Sequence, residues 1–359
     1  MKLKTLLASS AALLISASAA QAADAVVAEP EPNDYVKVCD MYGAGFYYIP
    51  GTETCLRVSG EFRIQYEYTT GDTLTTEVST GTIDQYGDTI YEDKPVSSIG
   101  SPYWHARVNF DAREETDYGT LRTYMRFEST EDSSTPDYNE DDGDKFPLMA
   151  LDAYIELGGL SVGRRTSRME LVGLPGLMYD GSYFGGGRTM YADYTFASNG
   201  LAILGGVSID NDQEGGLDEE KSIDGYIRAD YAGSNFNLGA AYGHDTSESE
   251  GALAFYANVT PMEGLLIQGY FNTQEATTQF GGDGDTQKWG VGASYALMHN
   301  VSVAGGYYHT DVDGDELDGY SLGLDWNVTN NLLLRLGYNH EDSESDEVND
   351  YRVRLQSNF

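Results

Sequence analysis

Positive charge is the scarcest property of this 359-residue sequence: 21 lysines and arginines stand against 58 acidic residues, for a formal net charge of −37. A surface so acidic repels polyanions at long range, so nucleic acid is excluded as a partner. Histidine is also scarce. His105, His244, His299, His309 and His340 are scattered without metal-ligand spacing, and no GxSxG elbow or strand-linked GxGxxG occurs, so no catalytic set can be assembled and the chain is not read as an enzyme. Beyond the first 22 residues no apolar run approaches the roughly 18 needed for a membrane helix, which excludes a bundle of spanning helices. Disorder, which the charge alone would permit, is excluded by 28 tyrosines.

The first residues have an export pattern. Lys2 and Lys4 precede an apolar stretch from Leu6 to Ala20, and Ala20-Gln21-Ala22 has the small-x-small form of a cleavage site. Residues 1–22 are therefore expected to be a signal peptide, 23–55 an N-terminal periplasmic segment and 56–359 the main body. Losing two lysines and no acid, the mature chain would have a net charge of −39.

From Leu56 onward the apolar residues recur at every second position. Val58, Phe62, Ile64, Tyr66 and Tyr68 share one side, and Arg57, Ser59, Glu61, Arg63, Gln65 and Glu67 the other. This is strand alternation with one apolar and one polar face. The pattern returns through Trp104–Phe110 and Leu121–Phe127 and ends with Tyr351, Val353, Leu355 and Phe359. Sixteen such segments are expected. Their connections alternate between tight turns (Gly158-Gly159, Ser198-Asn199-Gly200, Gly233-Ser234, Pro261-Met262, Thr329-Asn330) and long acidic loops (Thr69–Gly100, Ser129–Lys145, Asn211–Glu220, Asp245–Ser249, Gln274–Gly284, Asp311–Asp315, Glu341–Asp346). A soluble sandwich has no reason to sort its loops by length at every second turn, whereas a barrel with one rim in the periplasm and one outside does. In lipid, closure is also what satisfies every backbone group of a sheet. The expected fold is all-β: a 16-stranded antiparallel transmembrane barrel with its third loop folded inward.

That third loop, Thr166–Gly187, carries Met169, Leu171, Val172, Leu174, Leu177, Met178, Tyr183 and Phe184 with few acids, the composition of a segment that packs against an inner wall. The candidate constriction residues are Arg63, Arg107, Arg122, Arg126, Arg164, Arg165 and Arg168, faced by Glu170 and Asp180. Of the adjacent pair Arg164 and Arg165, one must point inward. Such a wall either creates a transverse field that orients hydrated, dipolar solutes or braces the barrel by pairing with carboxylates. Tyr68, Tyr103, Tyr191, Tyr194, Tyr308 and Tyr338 sit near strand ends, where some form an aromatic girdle and others line the lumen. Cys39 and Cys55 are the only cysteines; in an exported chain a disulfide between them is expected, with a pair of buried thiols as the alternative. The aspartate-glycine runs fail the calcium-loop test, since neither Asp311 nor Asp313 has glycine at the sixth position. No cofactor is expected beyond weak, nonspecific binding of divalent cations by acidic loops.

The run Val38-Cys39-Asp40, Tyr42-Gly43-Ala44-Gly45-Phe46 and Tyr48-Ile49-Pro50-Gly51-Thr52-Glu53-Thr54-Cys55-Leu56-Arg57 resembles the porin family of alphaproteobacteria, the type found in Brucella and Rhizobium relatives. Leu160-Ser161-Val162-Gly163-Arg164-Arg165 resembles the entry into that family's constricting loop, and Phe359 resembles the terminal aromatic that serves as an assembly signal. The resemblance implies a homotrimer in outer-membrane lipid and lipopolysaccharide, insertion by the barrel-assembly machinery, and passive diffusion of small hydrophilic solutes and ions. A plugged structural or adhesive barrel whose loops bind a partner is the alternative.

Overall fold

The computed structural model describes residues 37–71, 75–83, 89–132, 149–166, 168–169, 188–209, 223–245, 250–274, 285–344 and 347–359. In the body that begins at Val38, a 3-10 turn (Asp40–Tyr42) and β1 (Tyr47–Tyr48) precede β2 (Cys55–Gly71). There follow β3 (Thr75–Ile83), β4 (Thr89–Pro95), β5 (Ser98–Thr116), β6 (Gly119–Asp132), β7 (Met149–Leu157), β8 (Leu160–Thr166), β9 (Arg188–Ser198) and β10 (Leu201–Ile209). The remainder is β11 (Ile223–Ala232), β12 (Phe236–Asp245), β13 (Glu250–Met262), β14 (Leu265–Gln274), β15 (Thr286–Met298), β16 (Val301–Val312), β17 (Asp315–Thr329), β18 (Leu332–Ser343) and β19 (Glu347–Asn358). Sixteen of these, β2 and β5 through β19, pair antiparallel in one ring that closes where β19 meets β2. At twelve residues, a strand such as β18 is about 40 Å long, and tilted by about 45° it crosses roughly 28 Å, the height of an outer-membrane apolar band.

Alternation decides the two faces. Ile64, Ile227, Leu322 and Val353 are on the side left exposed, while Asp111, Asp193, Asp224 and Asp350 are buried although, among the described residues, no second sheet or helix packs on the barrel. Only side chains converging inside a closed ring can shield one another in this way, so the charged side is the lumen and the apolar side meets lipid. The outer face bears a belt of rings running from β2 through β19 and β18 to β17: Tyr68 to Tyr351 at 6.5 Å, Tyr351 to Tyr338 at 5.2 Å and Tyr338 to Tyr320 at 6.1 Å between centroids. Tyr194 also faces outward, 54% exposed, whereas Tyr103, Tyr191 and Tyr308 have inner-face parity. The expected girdle is thus divided by parity: a phenol one residue out of phase with Ile or Val must enter the lumen.

Three connections differ most from expectation. Asp311–Asp315 is no long loop: Asp313 and Gly314, at φ 55° and 94°, make a two-residue turn between β16 and β17. Asp-Gly is the dipeptide that tolerates such left-handed positions, and the Asp311 carboxylate accepts from the Gly314 amide at 2.8 Å. The turn after β13 is Glu263-Gly264 with Gly264 at φ 78°; Pro261 and Met262 belong to the strand end, where the register shifts. Within Thr69–Gly100, β3 and β4 pair as a separate hairpin, consistent with the β-branched residues there.

The first and last strands are joined at the short-turn rim. Gly60 and Phe359 exchange both backbone hydrogen bonds, at 2.9 and 3.1 Å, and a Cβ on Gly60 would overlap the Phe359 ring. Below Glu61, where β19 ends, β1 takes over the vacated edge of β2 by pairing Tyr47 with Leu56 and Tyr48 with Cys55. The Cys39–Cys55 disulfide is formed, with Cα atoms 6.0 Å apart, and both cysteines are buried with Phe46. By chain entropy a staple of this span contributes about 3 kcal/mol.

Candidate functional site

The inner wall collects the arginines. Of fourteen in the sequence, thirteen have described side chains, and twelve of those lie on or reach the inner face. A guanidinium cannot remain in lipid without cost, and period two offers every strand an alternative side.

Asp111 on β5 is the hub. Only 1% exposed, it receives Arg113 through Nε at 2.9 Å and Nη2 at 2.8 Å, Arg122 through Nε at 3.0 Å and Nη2 at 3.1 Å, and Arg57 at 3.3 Å. Antiparallel register makes this possible: Arg57, Asp111 and Tyr124 stand on one cross-strand line, with Arg113 and Arg122 on the next. Arg122 also reaches Glu156 at 2.9 Å, and its guanidinium lies 5.1 and 5.5 Å from the stacked rings of Tyr124 and Tyr154. Arg165 is above Tyr154 at 4.5 Å and 3.5 Å from Glu156. Farther along the same wall, Arg126 meets Asp152 at 3.1 Å, Arg107 meets Glu128 at 2.9 Å, and Arg63 meets Glu61 at 3.0 Å. His105, almost wholly buried, has Nε2 3.2 Å from Glu128. Each pair is partly shielded from water, where charge-assisted bonds hold geometry as well as energy.

Arg164 departs from the other candidates. It shares the outer parity of Val162, is exposed, and donates to the Leu151 carbonyl at 3.2 Å, so Arg165 is the member of the pair that faces inward. Arg168 leaves the wall after β8 and turns inward, binding Asp193 at 2.9 Å and Thr195 at 3.1 Å; Arg228 donates to its backbone carbonyl at 3.1 Å. Met169, fully buried, joins a cluster of Leu204, Tyr226, Ala241, Ala252 and Ala254 on the inner faces of β10 to β13. Within three residues of the end of β8 the chain thus crosses beneath several strands. Glu170 and Asp180 lie outside the described residues.

The candidate set omits six inner arginines: Arg57, Arg113, Arg228, Arg335, Arg352 and Arg354. Arg335 makes a two-pronged contact with Asp325 at 2.7 and 2.8 Å, Arg352 meets Glu67 at 3.2 Å, and Arg354, 3% exposed, donates to Gln65 at 2.8 Å. The same alternation that marks Arg63 also marks these. Except for Arg228, which pairs with Asp230 on β11, the arginines lie on β18, β19, β2 and β5 to β8 or just beyond it, while the inner faces of β12 to β16 carry Lys288 as their one charge among the described side chains, with Asn258, Gln268, Asn272 and Tyr308 on the same wall. Tyr256 and Tyr308 lie flat on that wall, over Gly239 and Gly319, where any Cβ would overlap their rings.

A closed ring with a greasy exterior and a charged, asymmetric interior defines an integral β-barrel of the outer membrane, of the diffusion-channel type. The model of the family described as "Porin subfamily" matches residues 24–358. "Porin Omp2a" of Brucella ovis is 35% identical over 333 residues, covering 84% of this chain and 88% of the relative. "Porin Omp2b" of Brucella abortus (strain 2308) is 34% identical over 312 residues, covering 81% and 80%. The chain belongs to the porin subfamily. Among solved structures, the outer membrane channel DcaP of Acinetobacter baumannii aligns with TM-score 0.61 at 11% identity, over 87% of this chain and 99% of that one. The anion-selective porin from Comamonas acidovorans aligns with TM-score 0.57 at 14% identity, over 86% and 100%. At such identities these two likenesses bear on the fold alone. Among the described residues no group of His, Cys, Asp or Glu could hold a metal ion.

Proposed function

We propose that the protein is a homotrimer of passive channels for small hydrophilic solutes and ions, with the inner arginines setting which ions pass. The one-sided distribution of charge carries this reading: cations and their partner acids on β18, β19, β2 and β5 to β8 face a wall of amides, hydroxyls and glycine. A field directed across the lumen orients dipolar solutes and penalises apolar ones. Arg63, Arg107, Arg122, Arg126, Arg165 and Arg168 are the proposed pore-lining cations, with Glu170 and Asp180 of the third loop opposite. Purified protein added to a planar bilayer is expected to give stepwise conductance increments; a folded barrel that gives none would count against an open path.

The trimer contact is assigned to the wall around β7 and β8. Those strands have nine and seven residues against nineteen in β5, and Arg164 points outward there. A guanidinium facing lipid at mid-depth costs about 2–4 kcal/mol, a penalty that a neighbouring subunit would remove. Arg164→Leu is expected to lower the temperature at which the trimer dissociates on a semi-native gel while leaving the monomeric barrel folded; an unchanged temperature would move the interface elsewhere. Residues 1–22 are proposed as the export signal, 23–55 as a segment remaining in the periplasm, and Phe359 as the signal read by the barrel-assembly machinery, with lipopolysaccharide and lipid around the outer face.

A further inference from the structure

The disulfide loop turns its aromatic residues into the barrel. Because β1 occupies the edge of β2 below Glu61, Phe46 falls on the inner side, 4.8 Å from the Arg57 guanidinium and 5.1 Å from that of Arg113. Tyr42 lies 5.7 Å from Arg113 and donates its hydroxyl to Glu115 at 2.9 Å. Desolvation and that hydrogen bond push the phenol up to about 12, so it stays a neutral donor at any physiological pH. Tyr42 then borders a cavity of about 450 Å³ at the short-turn rim, whose other sides include Arg113, Arg122, Glu156, Arg168 and Thr195. Two segments distant in sequence, the loop closed by the disulfide and the root of the third loop, meet at one hollow.

We propose that this hollow is a second selectivity element of the channel: a subsite for small solutes bearing a carboxylate or phosphate, with Tyr42 and Arg168 as its specificity-determining side chains. The proposal rests on the channel reading above. Its charge follows from the sharing of carboxylates: the guanidiniums of Arg57, Arg113, Arg122, Arg165 and Arg168 stand among the carboxylates of Asp111, Glu115, Glu156 and Asp193, five against four, so the flank keeps a small excess of positive charge in a chain of net charge −37. Thr195 accepts from Arg168 through its hydroxyl oxygen, so its own proton can be donated to an oxyanion. The Tyr42 hydroxyl is engaged by Glu115, which fixes the ring as a platform for the carbon skeleton of the solute. Arg168 gives one N–H of Nη1 to Asp193 and one of Nη2 to Thr195; its remaining N–H groups are the charged donors left for an oxyanion.

Purified full-length protein in a planar bilayer, with inorganic phosphate or tripolyphosphate added to one side, tests the subsite. Both anions are expected to block current, more strongly from the short-turn side. Arg168→Gln is expected to weaken the block about tenfold, the loss of one charge-assisted contact. Tyr42→Ala weakens it about threefold, whereas Tyr42→Phe, which keeps the ring and guards against loss of fold, retains it. Reduction of the disulfide with a phosphine releases the loop and should act as Tyr42→Ala does. Equal block in the wild type, Arg168→Gln and Tyr42→Ala, or no block of an otherwise conducting wild type, overturns the subsite. Absence of any conductance step overturns the channel reading instead.

Discussion

The two halves of the inner wall share one backbone geometry and are built on different chemistry. From β18 through β19 and β2 to β8, arginines alternate with acids across strands, so that each cation has a carboxylate or amide within reach. From β12 to β16 the described inner positions are mostly glycine, alanine, serine, asparagine, glutamine, threonine and tyrosine. Lys288 on this side faces Asn272 and Thr310 across the strands, with no acid opposite. The first half is braced by ion pairs and the second by close packing of rings onto glycine. The proposed transverse field depends on this difference, because arginines spread evenly around the ring would cancel across it.

Substitutions that treat the halves alike should expose that difference. The largest effect is expected from Asp111→Asn, which leaves three guanidiniums facing one another in a shielded place. Breaking a buried ion pair costs about 3–5 kcal/mol, against about 1–2 kcal/mol for Asn339→Ala on the boundary with the neutral half. Urea unfolding in detergent measures both, and equal losses would refute the hub role of Asp111. Next in size, the double change Arg122→Gln with Arg126→Gln is expected to shift the anion-to-cation permeability ratio on the order of tenfold toward cations. Lys288→Gln should shift it in the same direction but less. Reversal potentials in a salt gradient give both values, and identical shifts would show that position on the wall is immaterial. A subtler change is Gly319→Ala, whose methyl displaces the Tyr308 ring from the wall into the lumen and lowers single-channel conductance. Adding Tyr308→Ala restores it, and conductance unaffected by either change would remove the ring from the solute path. Least in size, the raised Tyr42 phenol should make the disulfide loop less stable as pH rises between the ordinary tyrosine range, near 10, and about 12. The unfolded loop gains by losing the proton first. Tyr42→Phe, which cannot ionise, should abolish that alkaline component in a melting-temperature series.

Period two is a local signal, and whatever depended on it was legible. Arg63, Arg107, Arg122 and Arg126 could be placed on the polar face because Phe62, Val108, Leu121 and Met125 lie beside them out of phase. The same alternation puts Arg352 and Arg354 opposite Tyr351, Val353 and Leu355, and Arg335 between Leu334 and Leu336, so these three are as legible as Arg63. Arg164 and Arg165 could not be separated by composition, since either fits a strand end; the pairing of Arg164 with Met190 and Arg165 with Thr189 assigns the faces. The charge of Asp311–Asp315 suggests a loop, although Asp313-Gly314 holds the left-handed pair that closes a hairpin in two residues. The partners of Asp111 were also beyond reach, because Arg57 and Arg122 are 54 and 11 residues away along the chain.

The sequence by itself determined that the chain forms antiparallel strands with one apolar side, that their number is even, and that most guanidiniums avoid the lipid. Alternation, turn chemistry and the cost of an unpaired charge in hydrocarbon act within a few residues, so they can be read in order. Only the tertiary structure decided which cations share a carboxylate, that the Cys39–Cys55 loop turns Tyr42 toward the hollow that also holds Arg168, and that Arg164 points away from the lumen. Those outcomes depend on the register between strands and on closure of the ring, which bring together residues that no spacing along the chain connects.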